Sequence, residues 1–388
     1  MRVLHVIPSV DERSGGPASA IVPMCRALQQ QGIEVWLVTT DAGLKSGGKP
    51  PLLTCSSNDR AREQVEEFLT SSASYNAQSK EQVRKGGLPP LLIFQGVPIM
   101  LFPSQLGASF KYSHPLSSWL RANIRQFDLV HIHAVFNHSS VTAAHACRKA
   151  NVPYLVRPLG TLEPWSMAQK SVRKRLFWQV AGKAMLRRAA AVHYTTEAEK
   201  LTTQRLLRLN HGKVIGLGIA NGSSTLGSKE KLASCFPELA QQPYVLVLSR
   251  LHPKKGLDVL LDAFSILVQQ PAFAHWKLVI AGDGPAEYVS MLKQKSGHGV
   301  QFTGWLDGEK KDAMLSNASL LALPSHQENF GLCVMEALSH AVPVLVSPHV
   351  NLAEEIVLAN AGWISTVDKD ALSTRLAEAL ADPEELGR

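Results

Sequence analysis

Two glutamates, Glu328 and Glu336, flank Gly331 in the stretch Ser-His-Gln-Glu-Asn-Phe-Gly-Leu-Cys-Val-Met-Glu-Ala-Leu, residues 325–338. Carboxylates accept hydrogen bonds from neighbouring hydroxyls, so a sugar or ribose is what such a pair would grip. Gly331 lets the backbone approach a ligand closely. A helix starting there offers unpaired N–H groups and a favourable dipole to an anion such as phosphate. The alternative for Glu328 alone is plain dipole compensation in a first helical turn. Two cations add to the set. Arg250 ends one apolar run, and Lys255 stands just before the next apolar-periodic segment, 259–264. Arg presents a planar fork to phosphate oxygens and Lys a compact point charge. A solvated basic loop is the alternative for this pair.

These residues need elements to hold them. Runs 320–324 and 342–346 are apolar and short enough for buried strands, which makes 325–338 a loop and helix between strands of a parallel sheet. Run 244–249 reads as another strand, so Arg250 and Lys255 point into the same crevice at the strands' carboxyl ends, where ligands bind in such sheets. Segments 276–285 and 300–306 are further strand-and-turn units. Gly282-Asp283-Gly284 reads as a tight turn that only glycine permits.

The pair with Asn329, Phe330, Gly331 and Leu332 between and after resembles the Glu-x7-Glu signature of glycosyltransferase family 4. These are group 1, retaining, nucleotide-sugar-dependent enzymes. Arg250-Leu251-x3-Lys255-Gly256 resembles the family's diphosphate clamp, upstream of the glutamates as in the family. The resemblance implies a GT-B fold: an α/β protein of two Rossmann-like domains with parallel sheets facing across a cleft. It places Gly15, Gly16, Arg250, Lys255, Glu328, Asn329, Phe330, Gly331, Leu332 and Glu336 at the donor. Glu328 would hold the sugar and Glu336 the ribose, and Glu328, His133, Arg250 and Lys255 are the catalytic candidates.

The N-terminus repeats the pattern. A strand at 3–8 runs into a loop with Gly15 and Gly16, then a helix from about 18 to 31 stopped by Gly32, then a strand at 33–40. This is a βαβ unit, without the G-x-G-x-x-G of a dinucleotide site. In the family the glycine loop meets donor phosphates and acceptor; a plain loop with Pro17 opening a helix is the other reading. Further strands are expected at 127–133, 153–157, 190–196 and 214–216, with a helix at 138–150. His133 ends a strand that resembles the family's Asp-Leu-Val-His-Ile-His, whose last His approaches the donor sugar; a lone His there is more often structural. The segment 157–165 resembles one that lines the acceptor side in a subset of these enzymes, which marks Arg157.

Length and composition agree. The chain has 388 residues, 45% of them apolar, enough for two domains with full cores. The expected boundaries are 1–216 for an acceptor-side domain, 217–243 for a linker rich in Gly, Ser and Asn, and 244–388 for the nucleotide-sugar domain. Residues 43–90 are polar and poorly patterned; a helix is expected at 61–69, and the Ser/Gln/Asn-rich part after it reads as an insertion. No stretch is long and apolar enough to span a bilayer, and the start reads as a core strand rather than a signal peptide. Five scattered cysteines show no C-x-x-C spacing, which favours a reducing compartment and argues against zinc. Net charge is +8. From 164 to 196 there is no acidic residue, while Lys170, Arg173, Lys174, Arg175, Lys183, Arg187 and Arg188 alternate with aromatic and aliphatic residues. A peripheral contact with an anionic membrane or lipid-phosphate acceptor is one reading, and a buried helix with a solvated basic face the other. No nucleic-acid module appears.

The function so implied is metal-independent, retaining transfer of a sugar from a nucleoside diphosphate to an acceptor hydroxyl, in polysaccharide, lipopolysaccharide or glycolipid synthesis. It needs no cofactor and no metal. Its partners are the nucleotide-sugar donor and a sugar or lipid-linked acceptor, and its place is the cytoplasm, including the inner face of the plasma membrane. A sugar-nucleotide epimerase and a non-catalytic nucleotide-sugar-binding protein are the alternatives. Two departures stand out. Asn221-Gly222-Ser223-Ser224 lacks the Asp of the family's Asn-Gly-Val/Ile-Asp. The chain ends at Arg388, where family members usually continue with a helix crossing back to the first domain.

Overall fold

The computed structural model describes residues 1–11, 15–42, 91–105, 110–169, 171–207, 210–219, 228–306 and 308–381. The helix expected at 61–69, the insertion expected after it and the departure at 221–224 lie outside these. The chain divides into two compact units, Met1–Gly218 and Ile219–Arg388.

The first unit is built on a sheet of β1 (Arg2–Val6), β2 (Glu34–Thr40), β3 (Leu91–Phe94), β4 (Val97–Phe102), β5 (Leu129–His133), β6 (Tyr154–Arg157), β7 (Ala191–Tyr194) and β8 (Gly212–Val214). Their order is β3-β4-β2-β1-β5-β6-β7-β8. Only β3 runs antiparallel, in a hairpin with β4. The six strands from β4 to β7 therefore have the doubly wound arrangement, and the order reverses between β1 and β5. The strands read as continuous apolar runs because both faces are covered, as a parallel sheet requires. Trp36, Phe102, Leu116 and Ile132 pack one face, and Ile21, Cys25, Val35 and Leu37 the other.

The second unit repeats the plan with β9 (Tyr244–Leu248), β10 (Lys277–Ala281), β11 (Val300–Gly304), β12 (Leu320–Leu323), β13 (Val344–Val346) and β14 (Gly362–Ile364). All run parallel in the order β11-β10-β9-β12-β13-β14, reversing between β9 and β12. Two cores flank this sheet, one with Leu246, Leu321 and Val344, the other with Val247, Phe264 and Leu376.

Several elements depart from the sequence expectation. Part of the stretch read as linker is the helix Ser228–Cys235, and Leu232 and Leu239 are buried in the second core. Its Gly/Ser/Asn content masked a short amphipathic segment. The first helix spans Gly16–Gln30, with Pro23 inside it. The acid-free span becomes Pro164–Ala168, Ser171–Phe177, a π turn at Trp178–Gly182, and Lys183–Arg187. Trp178, Met185 and Leu186 enter the core, so one face is structural. The other leaves Val172, Leu176 and Val180 exposed by 78%, 66% and 73%. These recur every four residues, the spacing of one helical face. Among the described residues no helix is long and apolar enough to cross a membrane.

Candidate functional site

The loops after β9 and β12 leave the second sheet side by side, at the point where its strand order reverses. The first carries Arg250 and Lys255, the second Glu328, Asn329 and Phe330. Gly256 explains how the loops come together. It has φ 65°, in the left-handed region, and a Cβ there would lie 2.3 Å from the Pro324 carbonyl oxygen. Only glycine combines that backbone with that approach. The His326 N–H donates to the Lys254 carbonyl at 2.8 Å and ties the loops directly.

As a result Lys255 Nζ donates to the Glu328 carboxylate, with the side chains 11% and 18% exposed. Burial pushes the Glu328 carboxyl up, but Lys255, Lys254 and Arg250 outweigh it and hold it below its ordinary value. The Glu328 backbone is fixed by N–H donation to His349 O (2.9 Å) and acceptance from Asn351 N (3.0 Å). Asn351 also donates to Asn329 Oδ1 at 3.2 Å. Phe330 is buried beneath the loop. Gly331, at φ 67°, caps the helix Leu332–Ser339, whose first residue is Leu332. Glu336 lies on that helix and accepts from Lys311 Nζ at 2.9 Å.

The structure thus unites Arg250, Lys255, Glu328, Asn329, Phe330, Gly331 and Leu332 at one sheet edge, with Glu336 a turn further along. Lys254 and Lys311 were missed. Lys254 is one of the unspecified positions inside the recognised motif, and Lys311 is distant in sequence from Glu336, so no spacing signalled it. Gly282 and Gly284 do more than turn the chain. Added Cβ atoms would meet Ser249 O at 1.8 Å and Leu251 O at 2.0 Å, so both glycines let this turn press on the Arg250 loop. Cys25 and Cys147 are core residues, whose thiols burial pushes up to about 12. Cys333 is only partly buried.

In the first unit the reversal point lies between β1 and β5. Gly15 (φ 115°) and Gly16 open the first helix beyond β1, and His133 ends β5. His133 is buried rather than open, with Nε2 3.1 Å from His5 Nδ1. Arg157 ends β6 in register with His133 and is likewise buried. The expectation of no metal needs one addition. His5, His131 and His133 bring ring nitrogens within 4.8 Å of one another, a set that sequence spacing hid because two strands supply it.

Comparison with known proteins gives this geometry a family. The family described as "Glycosyl transferase 4-like domain" matches residues 15–218, more than half of the chain, and "Glycosyl transferases group 1" matches 230–388. The chain belongs to the group 1, family 4 glycosyltransferases. It is 28% identical over 283 residues to the putative teichuronic acid biosynthesis glycosyltransferase TuaC of Bacillus subtilis, covering 71% of this chain and 69% of that one. It is 29% identical over 160 residues to the O-antigen chain mannosyltransferase B of Escherichia coli, covering 39% of this chain and only 41% of that protein. Anabaena HepE, solved with UDP and glucose, has a TM-score of 0.68 at 17% identity, over all of this chain and 92% of that one. WaaG, a glycosyltransferase of lipopolysaccharide biosynthesis, has a TM-score of 0.67 at 14% identity, with the same coverage. The fold is GT-B.

Proposed function

We propose that the protein transfers a sugar from a nucleoside-diphosphate donor to an acceptor hydroxyl during assembly of a polysaccharide, lipopolysaccharide or glycolipid. The observation that carries this is the Lys255–Glu328 pair, held beside Arg250 and the Gly331 helix start at the reversal point of the second sheet. The relatives named above act in such syntheses, and the HepE structure holds UDP with glucose, which supports a uridine donor.

In this reading the acceptor oxygen bonds to the anomeric carbon as the bond to the diphosphate breaks. Negative charge grows on the leaving diphosphate, and the acceptor proton follows it. Lys255, Arg250 and the N–H groups beyond Gly331 are preorganised cations and dipoles for that charge, which is electrostatic catalysis by the chain's own groups. Metal independence is part of the proposal, since these groups can carry the leaving-group charge themselves. Glu328, freed from Lys255 when phosphate takes the cation, grips the transferred sugar. Glu336 grips the ribose, exchanging Lys311 for its hydroxyls. Retention of configuration is part of the proposal, and no side chain here acts as a nucleophile.

The exposed Val172, Leu176 and Val180, flanked by Arg173, Arg175 and Arg187, suit peripheral contact with an anionic membrane. A cytoplasmic protein meeting the inner leaflet would reach a lipid-linked acceptor there. The test of the function is a screen of nucleotide sugars by thermal stabilisation, followed by kinetics with the donor found. Glu336→Gln should raise KM, because the ribose does not react. Glu328→Gln should lower kcat as well, since contacts at the reacting sugar change in the transition state. Wild-type kcat and KM in both variants would sink the assignment. Donor binding without turnover across acceptors would favour a non-catalytic binding protein.

A further inference from the structure

A cavity of about 430 Å³ opens at the amino end of β6, where Tyr154 begins the strand. That volume lies in the range of small-molecule sites. His133 and Arg157 end β5 and β6 at the opposite, carboxyl edge. The length of β6, about 10 Å, separates the two edges. Ligands that react in such sheets bind at the carboxyl edge, so this cavity stands outside the catalytic crevice.

Two helices end at its rim. The helix His138–Ala150 stops at Asn151, whose φ of 55° is left-handed, and the chain turns back through Val152 and Pro153 into β6. The helix Lys183–Arg187 stops at Arg188, and the Ala190 N–H donates to the Tyr154 carbonyl at 2.8 Å. Val152, Pro153, Tyr154 and Ala190 line the cavity with apolar surface, and Arg148 and Arg188 line it with charge.

Cations at helix C-termini ordinarily answer the dipole. Here the carbonyls have other partners. Cys147 O accepts from Val152 N at 3.0 Å, Ala184 O from Arg188 N at 3.2 Å, Met185 O from the Tyr154 hydroxyl at 2.9 Å, and Leu186 O from His211 Nε2 at 3.1 Å. Among the described residues neither guanidinium pairs with a carboxylate. Arg148 Nη2 lies 3.4 Å from His145 Nδ1. Asp128, just before β5, accepts from the Arg2 N–H at 2.6 Å. From 129 to 196 the one acidic residue is Glu163, which is buried. The positive charge is felt locally. Burial, then Lys149, Arg148 and Arg121, hold His145 below its ordinary value. Burial pushes the Tyr154 hydroxyl up to about 12, while Arg148 and Arg188 act against it, so both charges reach the same wall of the cavity.

Two guanidinium forks from two elements suit a phosphate monoester, with three terminal oxygens and a charge of about −1.5 to −2. A carboxylate offers two oxygens and a single charge. We propose that the cavity binds an organic phosphate, its phosphate between Arg148 and Arg188 and its apolar body on Val152, Pro153 and Tyr154. The proposal does not rest on the transferase reading. A soluble phosphate ester and a phosphatidic acid headgroup share this chemistry.

The test is calorimetry of wild type, Arg148→Gln, Arg188→Gln and Ala190→Trp with phenyl phosphate, inorganic phosphate and, as neutral control, benzyl alcohol. Ala190 is exposed at the cavity, so Trp there fills the space and leaves both charges in place. Thermal melts matching wild type show that each variant is folded. Wild type should bind phenyl phosphate more tightly than inorganic phosphate, and benzyl alcohol not at all. Each Gln variant should lose about tenfold or more in affinity, the value of a hydrogen bond to a charged group. Ala190→Trp should lose the preference for phenyl phosphate. Excess UDP should change none of this; competition by UDP would put the probe in the donor site and overturn the proposal. Absence of binding would overturn it too, as would binding that all three variants retain, which is attraction to a basic surface only. Vesicles of phosphatidylcholine with and without phosphatidic acid separate the sources. Flotation that needs phosphatidic acid, is displaced by phenyl phosphate and is lost in Ala190→Trp assigns the headgroup. Phenyl phosphate binding without displaceable flotation assigns a soluble ester. UDP binding with no phenyl phosphate binding would sink this inference and leave the transferase reading standing.

Discussion

Removing either partner of the Lys255–Glu328 pair should destabilise the second unit measurably, by an amount its burial sets. Fully exposed pairs contribute about 0–1 kcal/mol, and stripping one partner from a buried pair costs about 3–5 kcal/mol. At 11% and 18% exposure this pair lies between, nearer the buried case. Lys255→Met does not leave Glu328 alone, because Lys254 and Arg250 still act on it. Its cost should therefore be about 2 kcal/mol, below the buried range. Glu328→Gln leaves three cations facing one another and should cost about 2–3 kcal/mol. The double variant removes the mismatch, so a coupling energy of about 1–2 kcal/mol is expected from the cycle. Urea denaturation followed by tryptophan fluorescence measures it, taking the transition of the unit that contains buried Trp276. The pH dependence has a definite sign. Glu328 is held below its ordinary value, so the pair's contribution is full above about pH 4.3, the unfolded value. It fades as pH falls through the lower folded value. A coupling below about 0.5 kcal/mol at pH 7, or one that persists undiminished in acid, would refute a buried, charge-dependent pair.

Three other outcomes are expected. Lys255→Ala should weaken nucleoside diphosphate binding by about 1.5–3 kcal/mol in calorimetry, the range for a hydrogen bond to a charged group, and unchanged affinity would remove Lys255 from the site. Gly282→Ala should cost more than about 3 kcal/mol in urea, because its Cβ would lie 1.8 Å from Ser249 O and the backbone must move; a stable, fully folded variant would show the turn to be pliable. Wild type should co-sediment with anionic vesicles at low salt and release as salt screens the charges over about 10 Å at 0.1 M. Replacing Val172, Leu176 and Val180 by Ser should abolish this, and no sedimentation at low salt would make the span a purely structural helix.

The parallel strands were legible because burial on both faces makes them short apolar runs, and their loops carry short-range signals. Glu-x7-Glu and Arg-Leu-x3-Lys-Gly each lie within one loop-and-helix unit, so their spacing survives in sequence. The hairpin of β3 and β4 was not read, since it follows a long polar stretch and its strands lack strict alternation. The helix inside the supposed linker was hidden by its composition. The ion pair of Glu336 with Lys311, and the cluster of His5, His131 and His133, depend on which strands become neighbours. That is fixed by topology, and no local pattern encodes it.

The glycines explain why the loop motifs are read together. Gly256, Gly282 and Gly284 each stand where a Cβ would strike a backbone oxygen of a neighbouring segment. Gly256 presses the cation loop onto Pro324 at the end of β12, and Gly282 and Gly284 press the next turn onto Ser249 and Leu251. Arg250 and Lys255 are thus clamped between two backbones, and their charges are positioned before any ligand arrives. Preorganisation of this kind is what electrostatic stabilisation of a leaving group requires, since a flexible cation loses the advantage when it reorients. A larger residue at any of the three positions should therefore weaken diphosphate binding even where the cations remain. The Lys-Gly step of the motif is then a single device: the lysine supplies the charge, and the glycine fixes where that charge stands.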